Sequence, residues 1–392
     1  MNYFRDTIYS EIVKNSENHT AGYFNCIPFE NMEELERLLP GIEQDTYYLI
    51  TANSGIGKSK LARSLFIHQP WMYVRNNPQY DIKLDIFYFS LEESRKKVVL
   101  SEVAKYLYKV YDKVVSIKQL QSRGRYNFLD AETLAQISEA EEYINAFMET
   151  VRIIDNVRSP TAIFNYMKDY AVRIGRYYDR FGRQLSEADH RGILAGDVEA
   201  ISKIGSYKKT HEKHYVIVLT DHISLLTPEN VGGKTLTQWQ TISKFSNEYC
   251  ISLRDKYGFT IVNVQQQASD KEKIEYNYKG QTIQEKLEPS LDGLGDNKTT
   301  QRDVNVALGL FSPYRYNIES HQGHDITYWR NNYRSLSVLK DRDGTTDGAL
   351  PLYFNGAVDE FRELPDTDDT SKIGVLGELM RKVTEERKRI DG

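Results

Sequence analysis

The sequence predicts an α/β protein, with a mostly parallel central sheet flanked by helices and a helical insertion in one connection. Three observations predict it. The apolar run Tyr47-Tyr48-Leu49-Ile50-Thr51 ends in Ala52-Asn53-Ser54-Gly55-Ile56-Gly57-Lys58-Ser59, after which Leu61, Ala62, Leu65 and Phe66 keep helical spacing, so a strand, a glycine loop and a helix follow one another. Further apolar runs over 85–91, 215–220 and 259–264 close on Glu92, Asp221 and Gln265-Gln266-Gln267. Polar residues at the ends of successive strands are where open parallel sheets gather ligands. Helical pattern over 100–114, 131–151 and 162–174 separates the runs at 85–91 and 215–220, and the polar tract 176–214 reads as a surface insertion.

The other elements follow in chain order. Phe4, Ile8 and Ile12, four residues apart, predict a short amphipathic helix that breaks over 16–20, giving a linker-like helix in 1–24 ahead of a core over 25–364. The tail 365–392 resumes a charged helix over 373–390. A chain of 392 residues that is 40% apolar has ample core for one large domain or two average ones. No run of eighteen apolar residues occurs, and the first thirty residues are too polar for a secretory signal, so a cytoplasmic protein is expected. Cys26 and Cys250 lie far apart without metal-ligand spacing and read as buried, reduced thiols. A net charge of -5 argues against coating nucleic acid with the whole surface, but leaves room for a local basic channel.

Ala52-x-x-x-x-Gly57-Lys58-Ser59 is a Walker A loop with Ala in place of the first Gly, in the strand-before, helix-after context that the motif requires. The backbone from Ala52 through Lys60 would cradle the phosphates of ATP, Lys58 would reach the β and γ oxygens, and Ser59 would hold Mg2+. A glycine turn that binds nothing leaves Lys58-Ser59 unexplained. Asp221, closing an apolar strand, suits a Walker B carboxylate that orients the metal, against the alternative of a simple turn residue. Glu92 suits a general base for the attacking water, with Glu93 beside it as the alternative. Gln266 suits a γ-phosphate sensor, with Gln265 and Gln267 one position away.

The order Walker A, Phe89-Ser90-Leu91-Glu92, Walker B, strand-Gln, then Lys340-Asp341-Arg342-Asp343-Gly344 resembles the ATPase domain of DnaB-type replicative helicases, hexameric RecA-like motors that unwind DNA. The likeness covers 25–364, although Gln301-Arg302-Asp303 replaces a more acidic pattern, and with so few residues ahead of position 25 a motor without the cellular enzymes' helical collar is expected. It implies a homohexamer translocating on single-stranded DNA during replication, with a primase or loader as possible partner, in a bacterial cell or phage-infected host. Lys340 and Arg342 would then reach a neighbour's nucleotide as fingers. The DNA loops would map to 226–235 and 268–298, which carry Lys234, Lys271, Lys273, Lys279 and Lys298. A recombination, regulatory or scaffold ATPase without unwinding activity is the alternative.

Overall fold

The computed structural model describes residues 2–268, 277–278, 281–282, 287–346 and 348–391. Nine strands form one sheet: β1 (Tyr47–Ala52), β2 (Lys83–Ser90), β3 (Val151–Ile154), β4 (His214–Asp221), β5 (Thr260–Gln266), β6 (Val306–Phe311), β7 (Tyr333–Asp341), β8 (Ala349–Asn355) and β9 (Glu360–Glu363), in the order β9-β8-β7-β6-β1-β5-β4-β2-β3. From β6 to β3 every pairing is parallel, and β7, β8 and β9 add antiparallel strands at one edge. The parallel strands therefore all end on the same edge of the sheet, and the sequence motifs collect there.

Alternation along β1 shows why the sheet is covered on both faces. Tyr48, Ile50 and Ala52 enter one core with Leu61, Phe66, Ile86 and Val262. Tyr47 and Leu49 enter a second core with Phe87, Val218, Phe245 and Ile261. A strand buried on both faces reads as a continuous apolar run, which is the pattern of 47–51. The helices that cover it include α2 (Lys58–Arg63), α3 (Arg95–Tyr111), α4 (Pro160–Ile174) and α5 (Ile373–Asp391), whereas the first helix, α1 (Ser10–Thr20), buries no side chain.

Two sequence readings change, and the structure gives the third, the insertion, its detail. The helix expected to break over 16–20 continues as α1 to Thr20, and Gly22, at φ 86°, follows it. The helical pattern over 131–151 is two helices, Ala131–Glu139 and Glu141–Thr150, and Val151 opens β3 instead of closing a helix. The tract 176–214 holds two helices, Glu187–Ala195 and Val198–Ser202, enclosed by a hairpin of Gly175–Tyr178 with Ser206–Lys209. Lys209 seats that hairpin by donating from Nζ to the carbonyls of His214 and Gly258, at the edge where β4 and β5 begin. Burial takes the Lys209 ammonium down to about 8, against the opposing pull of Asp45.

The tail helix α5 buries Leu379 and Val383 against Trp329, Tyr333 and Tyr353. Both cysteines are free and buried, and burial pushes each thiol up to about 12, as inert core groups. No described helix is long and apolar enough to cross a membrane. Phe66 carries the P-loop side of the core, with Tyr48 at 5.0 Å and Phe29 at 6.1 Å between ring centroids. Phe66→Ala should cost about 3–5 kcal/mol in denaturant unfolding, because the surrounding strand and helix cannot close the cavity. A loss below about 1 kcal/mol would show that this core can collapse around the gap.

Candidate active site

The glycine loop leaves β1 at Ala52, which is fully buried and pairs with Gln266 of β5. Two positions need glycine. Gly55 and Gly57 have φ of 74° and 112°, and a Cβ at Gly57 would meet the Phe354 ring at 3.3 Å. The loop is held at its flanks: Asn53 donates to the Tyr316 hydroxyl, Arg315 donates to the Ser54 carbonyl, and Ile56 is buried in the core. Lys58, 8% exposed, opens α2 with its ammonium near the Asn53 carbonyl, at 3.5 Å. The free N–H groups at the start of a helix and the lysine together form an anion cradle.

Asp221 ends β4 beside this cradle and is 1% exposed. Its Oδ2 accepts from the Tyr88 hydroxyl at 3.0 Å, and its Oδ1 is buried without a hydrogen-bond partner. Burial pushes the carboxyl above its ordinary range, opposed by the Ser59 hydroxyl, Arg63 and Tyr88. The Ser59 hydroxyl, from the start of α2, lies close enough to this carboxylate to favour its charged form. A buried carboxylate oxygen lacking a partner, next to a serine hydroxyl, is a donor set that fits Mg2+ together with its waters. The residues present therefore fit the metal that the loop implies.

Glu92 and Glu93 separate clearly. Glu93 is bound by Arg63 at 2.6 Å and Lys97 at 2.5 Å, whereas Glu92 is exposed and forms no hydrogen bond or ion pair among the described residues. Half-buried His222 feels the charges of Asp221, Glu92 and Lys58 together, although burial is what chiefly holds its imidazole below its ordinary value. Ser90 pairs with Asp221 and the Leu91 N–H donates to the Asp221 carbonyl, so Glu92 follows directly beside the end of β4. The three glutamines separate as well. Gln265 donates to the carbonyls of Gly295 and Asn297, and Gln267 donates to Thr51 Oγ1 and the Ser290 carbonyl, so both fasten the segment after β5. Gln266 points to the other face by strand alternation, half-buried, without a side-chain bond among the described residues.

Among solved structures, the chain superposes on the ATPase domain of G40P over 92% of its own length and 99% of that chain, with a TM-score of 0.61 and 17% identity. It also matches a DnaB-like replicative helicase, whose structure was described with its interactions with primase, over 87% of this chain at a TM-score of 0.58 and 17% identity. The chain spans 64% of that protein's length. No family profile and no curated protein matches the sequence. The chain has the RecA-like fold of a DnaB-type ATPase domain.

In this RecA-like fold, Lys340 and Arg342 do not join the cleft of their own chain. Asp341 pairs with Val306, and Val306 with Tyr48, so the end of β7 lies where β1 begins. Four residues of strand separate that level from Ala52, about 13 Å at ~3.3 Å per residue. Lys340 donates to the Gln301 carbonyl and Arg342 to the Arg302 carbonyl, each at 2.5 Å, and the two stand together on this far edge. Of the loop lysines, Lys234 is exposed on a tight hairpin of Asn230–Val231 with Lys234–Thr235, and Lys298 is exposed just after Asn297. Lys271, Lys273 and Lys279 lie outside the described residues.

Sequence reasoning missed several groups that build the RecA-like cleft. Arg334 is 5% exposed, stacks over Phe354 at 4.5 Å, and donates to the Ile56 carbonyl at 2.7 Å and to Ser312 Oγ at 3.2 Å. Burial lowers its guanidinium to about 9. Lys60 turns its side chain from the loop to Asp359, at 2.6 Å, and Arg63 joins the same carboxylate. The one available signal was a charged Arg63 inside the apolar helix run 61–66. Arg334→Leu should cost about 2–3 kcal/mol, by leaving the Ile56 carbonyl and Ser312 hydroxyl unsatisfied, and should weaken nucleotide affinity. An unfolding midpoint and affinity both unchanged would show that the loop stands without it.

Proposed function

We propose that the chain hydrolyses MgATP and couples hydrolysis to translocation on single-stranded DNA as a homo-oligomeric ring, a DnaB-like helicase activity in replication. The observation that carries this reading is the division of one sheet between two edges. Lys58, Ser59, Asp221, Glu92 and Gln266 collect at the edge where the parallel strands end, and Lys340 and Arg342 stand at the opposite edge. Two cations too far from their own phosphate loop suit a site completed by a second copy.

In this reading the loop backbone and Lys58 bind the β- and γ-phosphates, with Ser59 and Asp221 Oδ1 as the residues that would hold the magnesium. Bound there, the ion would neutralise charge on the phosphate oxygens. Glu92 accepts a proton from water as the water oxygen bonds to the γ-phosphorus and the bond to the β-phosphate oxygen breaks, releasing ADP. Gln266, beside Ala52, would sense the γ-phosphate, and Lys340 and Arg342 of the preceding copy would stabilise the charge that develops on it.

The first helical segment supports association. Residues 4–20 bury no side chain, and Phe4, Tyr9 and Ile12 are all more than half exposed, which suits a helix that docks on a neighbouring copy. Lys234 and Lys298 are exposed where the parallel strands end, as phosphate-tracking lysines in a central channel would be. The primase interaction named for the second relative makes a primase or a loader the partner class to test.

ATP hydrolysis should rise with single-stranded DNA, a forked duplex should separate, and Glu92→Gln should abolish both while retaining nucleotide binding. Hydrolysis indifferent to DNA, or a fork left intact by a fully active ATPase, would favour the recombination, regulatory or scaffold reading.

A further inference from the structure

We infer that Glu93, clamped by Arg63 and Lys97, is a positioning residue that fixes Glu92 over the nucleotide cleft. The inference rests on the reading of Glu92 as the general base and goes beyond it, by naming what sets the geometry of that base. Arg63 is a 2% exposed arginine one turn beyond Lys60 on α2, the helix that begins at Lys58. Its Nη1 donates to Glu93 Oε2 at 2.6 Å, and its Nε and Nη2 donate to Asp359 Oδ2 at 3.1 and 2.7 Å. Asp359 Oδ1 takes the Lys60 ammonium at 2.6 Å. One buried cluster therefore ties the phosphate-loop helix, the loop after β2 and the turn between β8 and β9.

The loop after β2 is held at every residue around Glu92. Leu91 N–H donates to the Asp221 carbonyl at 2.7 Å, Ser90 Oγ donates to the Glu93 carbonyl at 2.7 Å, and the Glu93 carboxylate takes Arg63 and Lys97. Glu92 alone is left without such a tie among the described residues, projecting from a backbone whose neighbours are fixed. Burial by itself would raise the Glu93 carboxyl, yet Arg63 and Lys97 hold it below its ordinary value, so the carboxylate stays ionised and the clamp closed. Arg63 also lies against the Tyr88 hydroxyl, which donates to Asp221. The same guanidinium thus touches a neighbour of each acid, Tyr88 beside Asp221 and Glu93 beside Glu92.

A planar fork that spans two carboxylates is what Arg offers and Lys does not. Misplacing a general base by about 1 Å can cost on the order of 100-fold in rate with binding intact. A clamp with only a structural role would move stability and leave turnover per folded molecule alone.

The test compares the full-length protein with its Glu93→Gln and Glu93→Asp variants in MgATP hydrolysis, with KM, affinity for a fluorescent ATP analogue and melting temperature measured alongside, and with Glu92→Gln as reference. Glu93→Gln removes the charge that holds Arg63, and Glu93→Asp keeps the charge but shortens the reach. Both should lower kcat at least tenfold while KM and analogue affinity stay within twofold. Loss of kcat in Glu92→Gln with kcat within twofold of wild type in either folded Glu93 variant overturns the inference and leaves the assignment of Glu92 standing. Unimpaired hydrolysis in Glu92→Gln overturns that assignment instead, and the inference with it. If Glu93→Gln does not fold, Glu93→Asp decides by the same criterion.

Discussion

Placing a carboxylate at the buried end of a strand costs several kcal/mol unless its charge is met by donors or a cation, and much of this molecule is arranged around meeting that cost at Asp221. Tyr88 supplies one hydrogen bond from the neighbouring strand, Ser59 approaches from the phosphate loop, and Arg63 lends positive charge from behind. Oδ1 remains buried without a hydrogen-bond partner. The deficit falls at the place where the loop backbone and Lys58 present donors to phosphate. A metal and nucleotide would complete the electrostatics of the fold as well as serve the chemistry.

The second constraint is directional. Parallel strands deliver their ends to one edge, and a strand that turns back, such as β7, delivers its end to the other. The strand that ends in Lys340-Asp341-Arg342 therefore cannot serve the phosphate loop of the same sheet. In the proposed reading, a second copy would bring these two cations to the phosphate loop. The apolar side chains exposed along the first helix give that association a physical cause independent of the cleft.

Much of the cleft was legible in the sequence because its signals are local. Strand, glycine loop and helix occupy one continuous run from Tyr47 to Phe66, and the acids sit directly after apolar runs. What was not legible depends on distant partners. Choosing Glu92 over Glu93 turns on Arg63, which also holds Asp359, 296 positions further along. Choosing among the glutamines turns on carbonyls at 290, 295 and 297 that bind Gln265 and Gln267. β3 was absorbed into a helical pattern because four residues with alternate burial carry too little periodicity to mark a strand. The polar stretch 16–20 read as a break, yet α1 buries no side chain and so needs no apolar residue there to stay helical.

The central claim is that a working site is assembled from two copies, one giving Lys58 and the other Arg342. Lys58→Ala and Arg342→Ala, each inactive alone, should be mixed under conditions that allow subunit exchange, and ATP hydrolysis measured across the mixing ratio. The account predicts activity that is absent at both ends and recovers in the middle, because some interfaces then pair an intact phosphate loop with an intact finger. No recovery at any ratio, with exchange demonstrated by labelled subunits, would contradict a shared site.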